Sequence, residues 1–322
     1  MKISALIAGA AALALLTATE AGAAEKLRVG NPASVAFSFT PMNIAMEKGF
    51  FAKRNIEIEY QSFAGSAKIQ QAMIVDAIDI AVSAGPEFPF LVKSEQMKQP
   101  YAIGIAAMAG PPLLLGVGVR ADSPIKSPKD MKGAKVSVST AGGLTDWLPK
   151  ELARQQGWAP DSIQTVPVGE VRSQIMALKT KQVDGMITSL SVIWDLQEKG
   201  ETRAPVVKFG EIVPDFIMHV IYATKKFEER NPDALKRFLA AWFETIRYMR
   251  ANKAETVRIA QPVMRVPKHI VERSYDEMMS MFSDTGKFEP KAVDVLARSF
   301  VELGMLPTKP DLSKYYTEKY LP

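Results

Sequence analysis

The stretch TAGGLTDWLP, residues 140–149, carries two threonine hydroxyls, a carboxylate and two adjacent glycines between a predicted strand and a predicted helix. Unpaired N–H groups at a helix start, beside glycines that let a ligand come close, can bind a small anion or another polar ligand. The alternative is a plain turn in which Thr145 or Asp146 caps the helix. The dinucleotide motif GxGxxG and the phosphate-loop motif GxxxxGK[ST] are absent. The stretch therefore predicts either half of a polar ligand site or a turn.

The reactive residue types in the sequence give little support for an enzyme. The only two histidines, His219 and His269, have no metal-ligand spacing, and the motifs HExxH and GxSxG are absent. The chain contains no cysteine, which excludes thiol catalysis, disulfides and cysteine-ligated zinc. His219 lies in a predicted strand, where we expect a core or cleft-wall residue. We expect no catalytic residue, metal or cofactor, and the protein is predicted not to be an enzyme.

The candidate ligand-binding residues lie at the predicted carboxyl ends of strands, where open α/β sheets bind their ligands. Hydroxyl groups, glycines, carboxylates and aromatic rings dominate there, a composition that suits a cleft for a small molecule. In the first half of the chain the candidates are Phe37, Ser38, Phe39, Thr40, Ser66, Ser83 and Glu87. In the second half they are Thr140, Gly142, Gly143, Leu144, Glu170, Ser189 and Trp194. These loops contain no lysine or arginine, so an anionic and a neutral ligand both remain open.

One order of elements, β-α-β-α-β, occurs twice, over residues 27–83 and 134–189. Asp79 and Asp184 stand at corresponding positions, just before the last strand of each half. Strands that alternate with helices predict parallel sheets with helices on both faces. The predicted fold class is therefore α/β, with two lobes, each a parallel-type sheet with flanking helices, and a ligand cleft between them.

Two further strands, predicted at residues 113–120 and 216–224, join the lobes and carry the hinge. The chain after them is helical, and we expect this part to pack on the first lobe. An apolar stripe at helix spacing is expected to be core and comprises Leu235, Phe238, Leu239, Trp242, Ile246 and Met249. The predicted division is lobe 1 over residues 24–113 and 223–322, and lobe 2 over residues 114–222.

The N-terminal residues predict export. Lys2 precedes an almost wholly apolar run from Ile3 to Leu16, and Ala21-Gly22-Ala23 fits a signal-peptidase site. The run is shorter than the roughly 20 residues of a membrane-spanning helix. We predict a signal peptide over residues 1–23 and a mature protein in the periplasm. The net charge of +5 is scattered, so nucleic-acid binding is not expected.

Five segments along most of the mature chain carry a resemblance to a known family. They are MEKGFFAKRNIEIEY (46–60), DAIDIAVSAGPEF (76–88), SPIKSPKDMKGAKVSVSTAGG (123–143), LKTKQVDGMITS (178–189) and FEERNPDALKRFLAA (227–241). Their order and spacing resemble the periplasmic substrate-binding proteins of ABC transporters, in the nitrate/sulfonate/taurine group. The thiamine-pyrimidine-precursor binding proteins are related. Ser189-Leu190-Ser191 departs from the aromatic residue that many relatives carry, and Trp194 is expected to supply a ring instead.

The resemblance implies a two-lobed, type II-like binding-protein fold. It also implies a solute-binding protein that closes around a small organic molecule and delivers it to an ABC transporter permease and its ATPase. We expect a sulfonate or carboxylate ligand first, with a neutral heterocycle such as a thiamine-precursor pyrimidine as the alternative. An exported enzyme on the same fold is less favoured. The protein is expected to be a monomer.

Overall fold

The structure, a computed structural model, describes residues 23–32, 35–63, 66–84 and 87–322. Within these residues two five-stranded sheets form the framework. In spatial order β2-β1-β3-β10-β4, the strands of the first sheet are Ile56–Ser62, Glu25–Asn31, Ile80–Ala84, His219–Thr224 and Ala102–Ala109. In spatial order β7-β6-β8-β5-β9, those of the second are Gln164–Pro167, Lys135–Val138, Gly185–Ser189, Leu115–Val119 and Val207–Lys208.

Helices cover both sheets. The helices α1 to α12 span Thr40–Glu47, Ser66–Ile74, Phe88–Gln96, Leu144–Gln155, Val171–Lys179, Leu190–Glu198, Phe209–Ile212, Lys225–Arg230, Pro232–Ala251, Lys253–Met264, Lys268–Met278 and Pro290–Glu302. Because helices shield the sheet faces, central strands carry no polar–apolar alternation: β5, LGVGV, and β10, HVIYAT, are buried along their whole length.

Each sheet is mixed, with one antiparallel strand among four that run parallel to one another. β1 pairs in parallel with β2 and β3, whereas β10 runs antiparallel to β3 and β4. Likewise β6 pairs in parallel with β7 and β8, whereas β5 runs antiparallel to β8 and β9. The predicted parallel pairing holds for both repeated units, and β5 and β10 depart from it. The chain reaches these two strands from the other sheet, without the crossover connection that joins parallel neighbours.

The sequence repeat is visible in one hydrogen-bond pattern that both units share. Asp79 Oδ2 accepts from Arg28 N at 2.9 Å, and Asp184 Oδ2 accepts from Lys135 N at 2.8 Å. In addition, Asp79 N donates to Arg28 O and Asp184 N donates to Lys135 O, both at 2.8 Å. Each aspartate thus closes the turn into the last strand of its unit by clamping the first strand.

Two segments, residues 110–114 and 213–218, connect the sheets and lie against each other. Met218 N donates to Ala109 O at 2.8 Å. Gly110 is required there, because a Cβ at this position would lie 1.8 Å from the carbonyl oxygen of Phe216. The strands predicted beside these segments are present as β5 and β10, and β10 joins the first sheet from His219 onward.

The C-terminal helices pack on the first sheet's unit. The predicted stripe on α9 is buried at every position (Leu235, Phe238, Leu239, Trp242, Ile246 and Met249). Helices α9 and α10 contact α1. Helix α11 also contacts α6 of the second unit. In addition, Glu277 Oε2 of α11 accepts from Lys208 Nζ of β9 at 2.8 Å. The C-terminal part therefore touches both units.

Residues 1–22 of the predicted signal peptide lie outside the described residues. Among the residues that the structure describes, no helix combines the length and the apolar character needed to cross a membrane.

Candidate functional site

The residues predicted after β1 form a buried turn. Phe37–Phe39 make a short 3-10 helix, and Thr40 begins α1 with Pro41 in its first turn, where the missing N–H costs no hydrogen bond. Thr40 Oγ1 donates to Phe37 O at 2.7 Å. All four predicted residues of this turn are buried. This part of the candidate site is therefore a fixed wall.

His219 and Ser38 each contribute to this wall a polar atom that has no hydrogen-bond partner among the described residues. His219 begins β10 and pairs with Ala84, the last residue of β3, so it lies at the carboxyl end of the first sheet. The Phe39 and His219 rings lie 5.1 Å apart, centroid to centroid. Burial lowers the pKa of His219 to about 3, so the imidazole is neutral near pH 7.

Two buried atoms of these residues have no hydrogen-bond partner among the described residues: His219 Nδ1 and Ser38 Oγ. Only 8% of His219 and 1% of Ser38 is exposed. A buried polar atom without a partner costs about 1–3 kcal/mol. A ligand that supplies the missing partners would recover this free energy.

Ser83 and Glu87 lie together at the end of β3. Ser83 Oγ donates to Glu87 Oε1 at 2.9 Å, and Glu87 is completely buried. Burial, with the negative charge of Glu87 adding to it, raises the pKa values of Tyr101 and Tyr222. The carboxylate therefore contributes negative potential inside the first unit. Ser66, the remaining candidate of this half, begins α2.

In the second unit, the stretch 140–149 contains a clamped loop. Gly142 has φ of +72°, which favours glycine, and its N–H donates to Asp146 Oδ2 at 2.8 Å. Asp146 Oδ1 accepts from Thr165 Oγ1 at 2.5 Å. Asp146 thus already accepts from the Gly142 N–H, one of the backbone donors that the sequence predicts to be available to a ligand.

The helix cap differs from the prediction. Gly143 is the residue that caps α4, and it has no side chain to make a capping hydrogen bond. Thr145 Oγ1, expected as a cap, instead accepts from Ser139 N at 3.1 Å. The N–H groups of Leu144 and Thr145 are in the first turn, where a helix supplies no acceptor. Thr140 is exposed and the next two glycines are half-buried, so this loop is accessible.

Glu170 and Ser189 lie at the other strand ends of the second unit. Glu170 is exposed and occupies the N-cap position of α5, but its side chain makes no capping hydrogen bond. Ser189 Oγ lies 2.8 Å from Ser191 Oγ. Gln174, buried in α5, donates to Gly169 O at 2.9 Å, while its Oε1 has no partner in the described part of the chain.

Trp194 does not lie on a loop. The segment after β8, where we expect a loop at the carboxyl end of the strand, is instead the start of α6, which begins at Leu190 directly after Ser189. The guanidinium of Arg273, from α11, lies 4.0 Å from the centroid of the Trp194 ring. One face of this ring is therefore covered by an arginine, an arrangement favourable by cation–π attraction.

The structure brings the predicted residues together within each unit. Among the described residues, no hydrogen bond or ring contact joins a candidate of one unit to a candidate of the other. Sequence reasoning did not select His219 or Gln174 as ligand contacts. The position of His219 could not be inferred from local sequence. Only the pairing of β10 with β3 shows that the start of β10 lies beside the loops after β1 and β3.

Groups that could hold a metal are not found in the described part of the chain. His269 is exposed and hydrogen bonds Glu198 at 2.7 Å. It therefore takes no part in the wall formed around His219.

The model of one protein family, described as NMT1/THI5 like, matches residues 36–256, more than half of the chain. The chain belongs to the NMT1/THI5-like family. A Brucella abortus protein named "Putative binding protein" is 23% identical over 284 residues, covering 86% of each chain. A Haemophilus influenzae protein named "Putative thiamine biosynthesis protein" is 24% identical over 285 residues, covering 85% of this chain and 86% of its own.

Solved structures share the fold of this family member. The periplasmic aliphatic sulphonate-binding protein SsuA of Escherichia coli superposes with a TM-score of 0.73 at 19% identity, over 90% of this chain and 91% of its own. The desulfurization enzyme DSZB superposes with a TM-score of 0.65 at 17% identity, over 92% and 97%. Both a binding protein and an enzyme thus adopt this two-sheet α/β fold, and the site must decide between the two activities.

Proposed function

We propose that this protein is an extracytoplasmic solute-binding protein that captures a small organic molecule between two lobes. The observation that carries the proposal is the pair of buried, unpartnered polar atoms at the carboxyl end of the first sheet, Ser38 Oγ and His219 Nδ1. Such atoms suit a ligand that replaces water on binding. Binding rather than catalysis is favoured because His219 is a neutral side chain with an aromatic neighbour, not part of a nucleophile–base pair.

The proposed lobes follow the two sheets. One comprises residues 24–113 and 223–322 together with β10, and the other comprises the rest of residues 114–222. The connecting segments touch at Gly110 and Phe216, and hinge closure would bend the chain at these segments. Ligand would be held between the wall around Ser38 and the loop at residues 140–145.

The first proposed ligand is a sulfonate or carboxylate with an organic body. The first-turn N–H groups of α4 and the helix dipole favour an anion, by roughly 0.3–1 kcal/mol for the dipole. A neutral His219 can donate one hydrogen bond to it. The likeness to the E. coli sulphonate-binding protein supports this choice.

The second candidate is a neutral heterocycle such as a pyrimidine. The negative charge of Glu87, buried at the end of β3, disfavours an anionic ligand there and so favours a neutral one. The Phe39 ring offers an apolar wall, and the name of the Haemophilus influenzae relative points the same way.

Delivery to an ABC transporter permease and its ATPase follows from this role, as does a periplasmic location after signal-peptide cleavage. We propose that the protein acts as a monomer, because one chain contains both halves of the site. No turnover of the ligand is part of this function.

A thermal-shift screen of sulfonates, carboxylates, pyrimidines and inorganic oxyanions on the mature protein tests the proposal. We expect one class to raise the melting temperature, with about 2.7 kcal/mol of stabilisation at 100 times Kd. Ser38→Ala should weaken that response, whereas Ser313→Ala, at an exposed serine, should not. A response that is equal in both variants, or chemical conversion of the ligand, would overturn the proposal.

A further inference from the structure

Helix α11 is anchored to the first unit but also reaches the second. Tyr275 Oη of α11 donates to Met249 O of α9 at 2.8 Å, and Lys253 of α10 donates to Asp276 of α11 at 2.6 Å. The helix also contacts the turn Phe37–Phe39 in the wall of the proposed site, and on the second unit it contacts α6. A rotation of one unit against the other therefore has to move α6 relative to α11.

Three pairs of side chains, which we call the α11 latch, join this helix to the second unit: Arg273–Trp194, His269–Glu198 and Glu277–Lys208. The guanidinium of the first pair lies 4.0 Å from the ring centroid, and the other two pairs are hydrogen bonded at 2.7 Å and 2.8 Å. Across the proposed site, by contrast, no such contact joins candidates of the two units among the described residues. The latch therefore joins the units outside the cleft.

The two helices of the latch both extend from the segments that connect the sheets. The first N–H of α6 donates to Leu114 O at 2.8 Å, and Gly110 N donates to Met281 O, just after α11, at 3.0 Å. At 1.5 Å per residue, the nine residues of α6 and the eleven of α11 extend roughly 13 Å and 16 Å from there. The displacement caused by a rotation grows with distance from its axis. Closure at the connecting segments therefore moves the Glu277–Lys208 pair least and the two other pairs more.

The contact between α4 and α12 also joins the C-terminal part to the second unit, but it lies beside a connecting segment. Trp147 of α4 hydrogen bonds Glu302 of α12. The Trp147 ring stacks on Phe216 of the connecting segment, with the centroids 5.2 Å apart. Rotation at that segment displaces Trp147 little, so we expect this contact to persist during closure.

The Arg273–Trp194 pair combines an attraction with an unsatisfied group. Cation–π attraction favours the contact, but Trp194 is only 1% exposed and its Nε1 has no partner among the described residues. Water reaches this N–H once α11 moves aside, which offsets part of the lost attraction. The side chains of His269 and Glu198 are 58% and 48% exposed, so solvent screening keeps the contribution of that pair small. Arg273 therefore makes the main contribution to a latch that a ligand can release.

We propose that the α11 latch holds the two units apart in the ligand-free protein and that ligand binding has to break the Arg273–Trp194 contact. The inference rests on the proposed function, because a latch affects binding only if the units close around a ligand. Where only a fraction of the protein is in the binding-competent conformation, the apparent affinity falls by that fraction. The latch thus lowers the affinity of the site from outside the cleft, and Trp194 takes part in the latch rather than stacking on the ligand.

Distances measured without ligand test the latch directly. The chain contains no cysteine, so Ser62→Cys and Pro167→Cys introduce two unique sites for nitroxide labels. Both residues are exposed, and they end the edge strands β2 and β7, on the side of each sheet away from the connecting segments. Pulsed electron paramagnetic resonance then gives the distribution of distances between the labels.

In this labelled protein, Arg273→Glu should shift the distribution towards shorter distances. The new carboxylate would lie near Glu277 and over the electron-rich face of Trp194, so attraction becomes repulsion. Lys268→Glu is the matched control, because it makes the same change of charge on the same helix, where Lys268 pairs with Glu272 of α11 itself. Its distribution should match that of the labelled protein without either substitution.

Ligand affinity should change in the direction opposite to that expected for a substitution in the cleft. Arg273→Ala should bind ethanesulfonate about two- to five-fold more tightly than the wild type does, the effect of losing one cation–π contact at a partly exposed site. Lys268→Ala should bind it as the wild type does. Calorimetric titration measures both affinities.

Two results would overturn the latch. One is the same distance distribution for Arg273→Glu and Lys268→Glu. The other is ethanesulfonate binding by Arg273→Ala that is equal to that of the wild type or weaker. The distance measurement needs no ligand, so it decides on the latch even where the thermal-shift screen contradicts the proposed function.

Discussion

The rings of Phe39 and His219 meet at an interplanar angle of 77°, with their centroids 5.1 Å apart. The contact fixes the imidazole of His219 at the carboxyl end of the first sheet, beside the turn that carries Ser38. Because the ring is buried and its Nδ1 has no partner in the described residues, we expect ligand binding to be sensitive to substitution of His219.

Removing the imidazole nitrogens while keeping a ring should weaken ligand binding. His219→Phe preserves the packing on Phe39 but loses the hydrogen bond, which for an anionic ligand corresponds to about ten- to one-hundred-fold in Kd. Calorimetric titration with the ligand found in the screen measures this. His269→Gln is the control, because His269 is exposed and bonded to Glu198; it should bind as the wild type does. Equal affinity in both variants would contradict a role for His219.

The burial of His219 predicts that the folded protein loses stability in acid. The pKa of folded His219 is lowered to about 3 by burial, below its ordinary value of about 6.5. Between these pH values the unfolded chain binds a proton that the folded chain does not, so stability falls as pH falls. The slope from this group is at most about 1.4 kcal/mol per pH unit. Urea unfolding at pH 7, 5 and 4 should show a smaller loss for His219→Phe; an unchanged loss would count against a neutral buried imidazole.

Substitutions of two neighbouring glycines test whether the loop at residues 140–145 binds ligand. A Cβ at Gly143 would lie 2.6 Å from Thr140 Oγ1, so Gly143→Val should crowd the loop and reduce affinity by about ten- to one-hundred-fold. Gly142→Ala meets no atom within 4 Å but has φ of +72°, so it should cost roughly 1 kcal/mol of stability and keep affinity. Melting curves with and without ligand distinguish the two effects. If Gly143→Val keeps the full ligand-dependent increment, the loop is only a turn.

The contact between α4 and α12 should contribute to stability. Trp147, completely buried, donates from Nε1 to Glu302 Oε2 at 2.7 Å. Glu302→Ala leaves this N–H without an acceptor and should cost about 1–3 kcal/mol of unfolding free energy. Glu302→Gln retains an acceptor and should cost less than half as much. Urea unfolding compares the two, and equal losses would assign the effect to the ion pair with Arg298 instead.

Hinge closure predicts a change of shape on binding. Small-angle scattering should give a smaller radius of gyration at saturating ligand than in its absence. Gly143→Val serves as the control: at a ligand concentration that saturates the wild type but leaves this weaker variant mostly unbound, its radius of gyration should change little. An identical profile for the wild type with and without ligand would argue against closure, although binding itself would stand.

The repeated units were predictable because their local signals agree with their tertiary contacts. Asp79 and Asp184 stand at equivalent sequence positions and make equivalent hydrogen bonds. The stripe on α9 is periodic in the sequence and buried in the structure. By contrast, the sequence predicts a loop where α6 begins, because the buried segment LSVIWDL shows no clean polar–apolar period.

Long-range pairing accounts for what the sequence did not reveal at the candidate site. Ser38 and the turn around it were expected there because they directly follow β1. His219 comes after an entire second unit, and no local pattern shows that β10 lies between β3 and β4. The clamping of Gly142 by Asp146 also depends on side-chain geometry, since the same residues are compatible with an unoccupied donor.

The central position of β10 sets an order of assembly for a chain that emerges from its N-terminus. The first sheet lacks an interior strand until residues 219–224 are available, because β4 pairs with β10 and not with β3. The second sheet uses only residues 115–208, which are contiguous. During synthesis the later unit can thus complete its sheet first. The strands β1 to β3 can pair with one another earlier, but β4 must wait for β10 before it can join the sheet.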